Sequence, residues 1–108
     1  MPHLRVRNVD PDKLLAASGR LCDRIQAAVG CERSWITIDW EPSRQALDGA
    51  WAAGAPFVEI LWFPRPEPVR AELSRILSEE LKGDAPFVTA VFRELDPALY
   101  YEDGKNFA

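Results

Sequence analysis

The chain has 108 residues, 47% of them hydrophobic and 28% charged, which suits one soluble globular domain and leaves no room for a second independent core. A formal net charge of -4 argues against a surface built to displace the counterions of nucleic-acid phosphates, so no nucleic-acid partner is predicted. Two cysteines and one histidine are too few for a disulfide framework or a Cys/His zinc site. The start, Met1-Pro2-His3-Leu4-Arg5, lacks an apolar signal core, and no segment approaches the ~20 apolar residues that span a bilayer. The expected setting is therefore cytoplasmic, away from membranes, with reduced thiols.

Leu4 and Val6 alternate with His3, Arg5 and Arg7, which predicts a first strand over Pro2 to Asn8. Asp10-Pro11-Asp12 then offers a capping side chain, a proline for the first helical position and an acid for the first turn. Leu14, Ala17, Leu21, Ile25 and Ala28 follow at helical spacing as far as a stop at Gly30. A second alternation, Trp35 to Glu41, predicts strand two. The stretch 42–54, with Pro42, Asp48-Gly49 and Gly54, is expected to be a connecting loop with at most one tight turn and little regular structure.

From Pro56 the plan repeats. Phe57 to Phe63 predicts a third strand, and Pro64-Arg65-Pro66-Glu67-Pro68 ends it and opens a helix. The second helical stripe runs through Val69, Leu73, Ile76, Leu77 and Leu81 to Gly83, and Pro86 to Glu94 predicts a fourth strand. Asp103-Gly104 in the tail suits a tight hairpin turn. The result is an α+β class, a single domain over 1–108 made of duplicated β-α-β units, about 1–54 and 55–108, with a four-stranded mixed sheet and two helices on one of its faces.

Parity separates the strand residues into two faces. Leu4, Val6, Ile36, Ile38, Trp40, Val58, Ile60, Trp62, Val88, Ala90 and Phe92 form an uncharged face for the helices. The other face mixes Trp35, Phe57, Leu61, Phe63, Phe87 and Val91 with Arg5, Arg7, Thr37, Asp39, Glu59 and Arg93. Two short helices cover only one side of such a sheet, so the second face predicts self-association, with its charges paired within the sheet or between subunits.

No nucleophile elbow, phosphate loop or metalloprotease helix is present, which turns attention to the terminus. A small residue after the initiator methionine generally permits its removal, and here that would free the secondary amine of Pro2 at the start of strand one. An α-amino group titrates near 7.7–8.0 and shifts lower in an apolar pocket, so it can act as a base around neutral pH.

Met1-Pro2 opening a strand, the doubled β-α-β plan and the predicted self-association together resemble the tautomerase superfamily, which includes 4-oxalocrotonate tautomerase and macrophage migration inhibitory factor. Within it, Met1-Pro2-His3-Leu4-Arg5 and Pro56-Phe57-Val58-Glu59-Ile60-Leu61-Trp62-Phe63 are similar to a group of small proteins that open M-P-x-L-R and carry a P-F-V-E-x-L-W-F strand. The resemblance covers nearly the whole chain. It implies a homotrimer and a cofactor-independent enzyme that moves a proton on a small keto or enol carboxylic acid, with Pro2 as the proton shuttle.

By the same resemblance, Arg65 stands where superfamily arginines hold substrate oxygens just after a strand, while Asp10-Pro11-Asp12 supplies no arginine in the first half. Anion binding by Arg65 and by the adjoining helix terminus together is expected, with Arg70 the weaker candidate. Asp39, or alternatively Glu41, corresponds to the acidic residue of decarboxylase and dehalogenase members. Tyr100 or Tyr101 could reach a neighbouring subunit's pocket from the tail, Tyr101 being taken as the substrate-binding candidate. His3 reads as an interface hydrogen-bonding group, Cys22 as packing and Cys31 as more exposed. The alternatives are a non-catalytic trimeric binding module of the same fold, or a decarboxylase or hydratase of small acids.

Overall fold

A computed structural model describes all residues, Met1–Ala108. Strand β1 (His3–Arg7) leads into helix α1 (Pro11–Val29), and a single 3-10 turn (Arg33–Trp35) precedes β2 (Thr37–Glu41). A short hairpin of β3 (Gln45–Leu47) and β4 (Ala50–Ala52) follows. Then come β5 (Phe57–Trp62), helix α2 (Glu67–Leu81), β6 (Thr89–Glu94), a 3-10 turn (Pro97–Leu99) and a terminal hairpin of β7 (Tyr101–Glu102) and β8 (Lys105–Asn106). The main sheet has the order β2-β1-β5-β6. Each β-α-β half forms a parallel pair, β1 with β2 and β5 with β6, and the halves join through antiparallel β1 and β5. The sheet is therefore four-stranded and mixed.

The helix ends follow from the residues that mark them. The Asp10 carboxylate accepts from the backbone N–H groups of Asp12 and Lys13 at 2.8 and 3.3 Å, satisfying donors that have no partner inside the helix. Gly30 closes α1 in the left-handed region at φ 74°, where a side chain would be strained, and its N–H donates to the Gln26 carbonyl.

One face of the sheet packs on both helices. Leu4, Val6, Val58, Ile60 and Trp62 are fully buried against Leu14, Ala17, Leu21 and Ile25 of α1 and Leu73, Ile76, Leu77 and Leu81 of α2. Arg20 and Arg24 of α1 pair with Glu79 and Glu80 of α2 along the helix seam. Trp40 keeps to the helix side, lining a groove with Pro11, Leu14 and Leu15 of α1, but near the end of edge strand β2 it stays 42% exposed, and its Nε1–H donates to the Val9 carbonyl at 2.8 Å. The fourth strand begins at Thr89, so Val88 lies just before it.

Residues 42–54 are more regular than the loop expected. β3 and β4 pair around Asp48-Gly49, both at positive φ (50° and 80°), the backbone a two-residue hairpin turn requires. The alternation on either side is too short to register as a strand signal. Leu47 and Trp51 on this hairpin are 62% and 68% exposed.

The open sheet face carries Phe57, Leu61 and Val91 without a helix over them; Trp35, expected in strand two, lies instead in the 3-10 turn before β2, and Phe87 lies two residues before β6, both among the exposed large apolar residues. Two of its arginines pair within the chain, Arg5 Nε donating to Glu41 Oε1 at 2.6 Å and Arg93 Nε to Glu59 Oε2 at 2.7 Å, while the Arg7 guanidinium lies 4.2 Å from the Phe57 ring centre and Asp39 has no ion-pair partner. No helix is long and apolar enough to cross a membrane.

Candidate active site

The register of the sheet assembles the site. In the antiparallel β1–β5 pair His3 lies opposite Leu61, so continuing toward the terminus sets Pro2 against Trp62 and Met1 against Phe63, with Arg65 just beyond the strand end. In the parallel β1–β2 pair His3 lies beside Thr37, and the Thr37 N–H donates to the Pro2 carbonyl at 3.2 Å. The amino terminus, the start of β2 and the end of β5 thus converge at one corner of the sheet.

The tail completes that corner. After the Pro97–Leu99 turn, the β7–β8 hairpin reverses at Asp103-Gly104, and the Phe107 N–H returns to the Pro97 carbonyl at 3.0 Å. Tyr100 and Phe107 then meet edge to face at 5.0 Å, and Phe63 lies 5.5 Å from Tyr100 and 5.8 Å from Phe107, centre to centre. The result is a cavity of about 330 Å³ with aromatic walls of Trp35, Phe63, Tyr100 and Phe107, and with His3, Thr37, Arg65 and Glu102 as its polar groups besides Ser34. The remaining wall is Met1, only 6% exposed, and Pro2 is fully buried beneath it.

Burial pushes the Met1 α-amino group below its ordinary range; Cys31 and Glu102 oppose that shift, and the Arg65 charge reinforces it. Burial likewise lowers His3, helped by the nearby terminal charge and opposed by Glu102 and Asp39. Burial raises Tyr100, with Glu102 acting in the same direction, so its hydroxyl stays protonated at neutral pH. The His3 ring bridges two hydroxyls: Nδ1 lies 2.6 Å from Thr37 Oγ1 and Nε2 lies 2.8 Å from Tyr100 Oη.

Arg65 donates through Nη1 to the Phe63 carbonyl at 3.0 Å, and its guanidinium lies 5.4 Å from the Trp62 ring centre. It has no carboxylate partner among the ion pairs of the chain. The helix terminus beside it is a poorer anion cradle than expected. Pro66 caps α2 and Pro68 stands in its first turn, neither with an N–H to offer, and Glu67 brings a negative charge.

The other candidates lie apart from the cavity. Arg70 turns away, donating to the Arg65 carbonyl at 3.4 Å and approaching Glu94 at 3.7 Å. Asp39 sits beside Arg5 on the open sheet face, three register steps from Pro2, and Glu41 is engaged by Arg5. Tyr101 is 59% exposed on β7, whereas its neighbour Tyr100 lines the cavity. Sequence reasoning missed Thr37, Glu102 and Phe107. The available signal was the Asp103-Gly104 turn, which folds the tail back on itself. His3, read as an interface group, finds both of its partners within the chain. No group of three or more His, Cys, Asp or Glu side chains is arranged to hold a metal ion.

A structure of a DUF1904 domain from Sebaldella termitidis superimposes with a TM-score of 0.92 at 32% identity, covering 99% of this chain and 100% of that one. A fused 4-OT, solved as an asymmetric trimer, gives 0.75 at 15% identity over 96% of this chain and 94% of its own. A macrophage migration inhibitory factor-like protein from Entamoeba histolytica gives 0.67 at 14% identity over 98% of each. The chain therefore has the tautomerase-superfamily fold. No curated protein matches its sequence. The model of the family described as domain of unknown function (DUF1904) matches residues 1–106, and the chain belongs to that family.

Proposed function

We propose that this DUF1904 member is a cofactor-independent, tautomerase-like enzyme. In it the Pro2 amine, freed by loss of Met1, moves a proton on a small keto or enol carboxylic acid whose oxygens Arg65 holds. The observation that carries this reading is the juxtaposition, set by sheet register, of a shielded amino terminus and an arginine without a carboxylate partner on one aromatic-walled cavity. A neutral amine in such a place can take a proton from carbon or oxygen, and a planar guanidinium can bind a carboxylate through two parallel hydrogen bonds.

The test is proton exchange on a panel of 2-oxo acids, phenylpyruvate among them, followed by deuterium incorporation. Arg65→Ala should raise KM about tenfold to a hundredfold, the scale of a lost charge-assisted hydrogen bond. Arg65→Lys should recover only part of that, because an ammonium keeps the charge and lacks the fork. Equal KM for wild type and Arg65→Ala across the panel would remove the assigned role of Arg65.

The open sheet face supports a homotrimer as the working form, and the fused 4-OT of the same fold was solved as a trimer. Covering Trp35 and Phe87 by neighbouring copies would take exposed aromatic surface out of water. Sedimentation equilibrium should return three times the chain mass of 12.2 kDa, and Phe87→Asp should shift the population toward the monomer. A wild-type monomer at micromolar concentration would refute this assembly.

A further inference from the structure

We infer that His3 is a positioning residue for proton transfer, acting through Tyr100, so that the cavity holds a second proton-handling group besides the Pro2 amine; this rests on the reading of the cavity as a tautomerase-like site. The single histidine of the chain is clamped at both ring nitrogens, by Thr37 Oγ1 at 2.6 Å and by Tyr100 Oη at 2.8 Å. These contacts tie three separate segments together: the first strand, the second strand and the tail. Thr37 is exposed to solvent, while Tyr100 is half-buried among Phe63 and Phe107. The ring therefore links a solvent-accessible hydroxyl to a phenol on the wall of the same cavity.

The groups facing the ring are few. β2 brings Thr37 and Asp39, the tail brings Tyr100 and Glu102, and the chain start brings the terminal amine; Leu61, opposite on β5, adds no charge. In the assigned arrangement the Thr37 hydroxyl donates to Nδ1 and the Nε2–H donates to the Tyr100 oxygen, leaving the Tyr100 O–H free for a substrate oxygen. During enolisation the substrate C–H bond breaks and its proton goes to the Pro2 nitrogen. The electron pair becomes the C=C bond, and the carbonyl oxygen takes the Tyr100 proton. Tyr100 is restored from Nε2–H, Nδ1 takes the Thr37 proton, and water resupplies Thr37. The protonated Pro2 amine then returns its proton to solvent; the ring is left as its Nδ1–H tautomer, with no oxidant, reductant or net charge left over, and it regains the Nε2–H form when the protons pass back along the same chain. The reverse sequence ketonises the enol.

Because the chain has one histidine, long-range nitrogen–proton NMR spectra report its tautomer without assignment ambiguity. The expected result is the Nε2–H tautomer over the neutral range, with ring resonances that move in both Tyr100→Phe and Thr37→Val. A ring that exchanges freely between tautomers, or whose resonances ignore both substitutions, overturns the inference even if exchange on phenylpyruvate is intact. In the exchange assay, Tyr100→Phe and His3→Leu should each lower kcat at least about tenfold with little change in KM, the signature of an interaction used in proton transfer. The double variant should be no worse than either single one, because the two groups act as one unit. Thr37→Val, the mildest change, should lower kcat in the same direction while the fold is retained. Additive losses, or a His3→Leu variant with wild-type kcat, would count decisively against the relay. If wild-type protein with a free Pro2 exchanges no acid of the panel, the proposed function and this catalytic role fall together; a clamped ring in the NMR spectra would then show that the function and not the geometry was at fault.

Discussion

Protein that begins at Pro2 should exchange protons on 2-oxo acids, and protein that keeps Met1 should lose about 10²–10⁴ of that rate, the range a positioned base contributes. The reason is chemical before it is steric. With Met1 attached, the Pro2 nitrogen is an amide without a basic lone pair; without it, the same atom is a secondary amine. The steric consequence follows, because Met1 forms a wall of the cavity and covers Pro2, so its removal enlarges the cavity at the point where the amine is exposed. The Met1 amine already lies below its ordinary range because it is buried, with Arg65 acting in the same direction. An amine at Pro2 would stand one residue deeper along the strand, where burial acts in the same direction. Only the neutral amine accepts a proton, so kcat/KM should rise with pH on the acid limb and level off below the ordinary α-amino value of about 8. Cleavage of an N-terminal fusion to expose either residue supplies the two forms, and intact mass identifies them. Equal rates from both forms would remove Pro2 from the mechanism.

The parts of this molecule that were legible in its sequence are those governed by local rules. Asp10 and Gly30 delimit α1 because capping and left-handed backbone are decided within a few residues. Leu4, Val6, Val58 and Ile60 fell on the buried face because period-2 alternation is independent of which strand lies alongside. The antiparallel join of β1 to β5 is not local, and it brings Arg65 to the terminus; the family resemblance supplied that residue where spacing alone could not. Tyr100 and Tyr101 show the limit most clearly. Adjacent residues of the same type point to opposite sides of an extended segment, so the choice between cavity and solvent depends on one step of register. Asp39 illustrates the same limit along the strand, since its parity matches that of Thr37 but its position is two residues too far from the terminus.

Replacing Trp62 by Ala should destabilise the chain by about 3–5 kcal/mol, a large share of the ~5–15 kcal/mol that holds a typical domain together. Trp62 is fully buried at the end of β5, opposite Pro2 and 4.8 Å from the Phe92 ring on neighbouring β6, so truncation leaves a void that its strand neighbours can only partly fill. Its indole Nε1–H is buried without a hydrogen-bond partner, which sets up a sharper comparison. Trp62→Phe also loses volume, but it removes a stranded donor whose burial costs roughly 1–3 kcal/mol, so its net loss should stay below about 1.5 kcal/mol. Urea midpoints at constant slope measure both. A Phe variant as unstable as the Ala variant would mean that the indole N–H is satisfied in solution. The same residue links core to site, because the Arg65 guanidinium lies over this ring. Phe preserves an aromatic face beneath Arg65 and Ala does not, so KM for a 2-oxo acid should rise more in Trp62→Ala than in Trp62→Phe, measured at temperatures where both remain folded. In this corner of the sheet, one buried side chain supports the closing strand pair, the floor under the terminus and the orientation of Arg65.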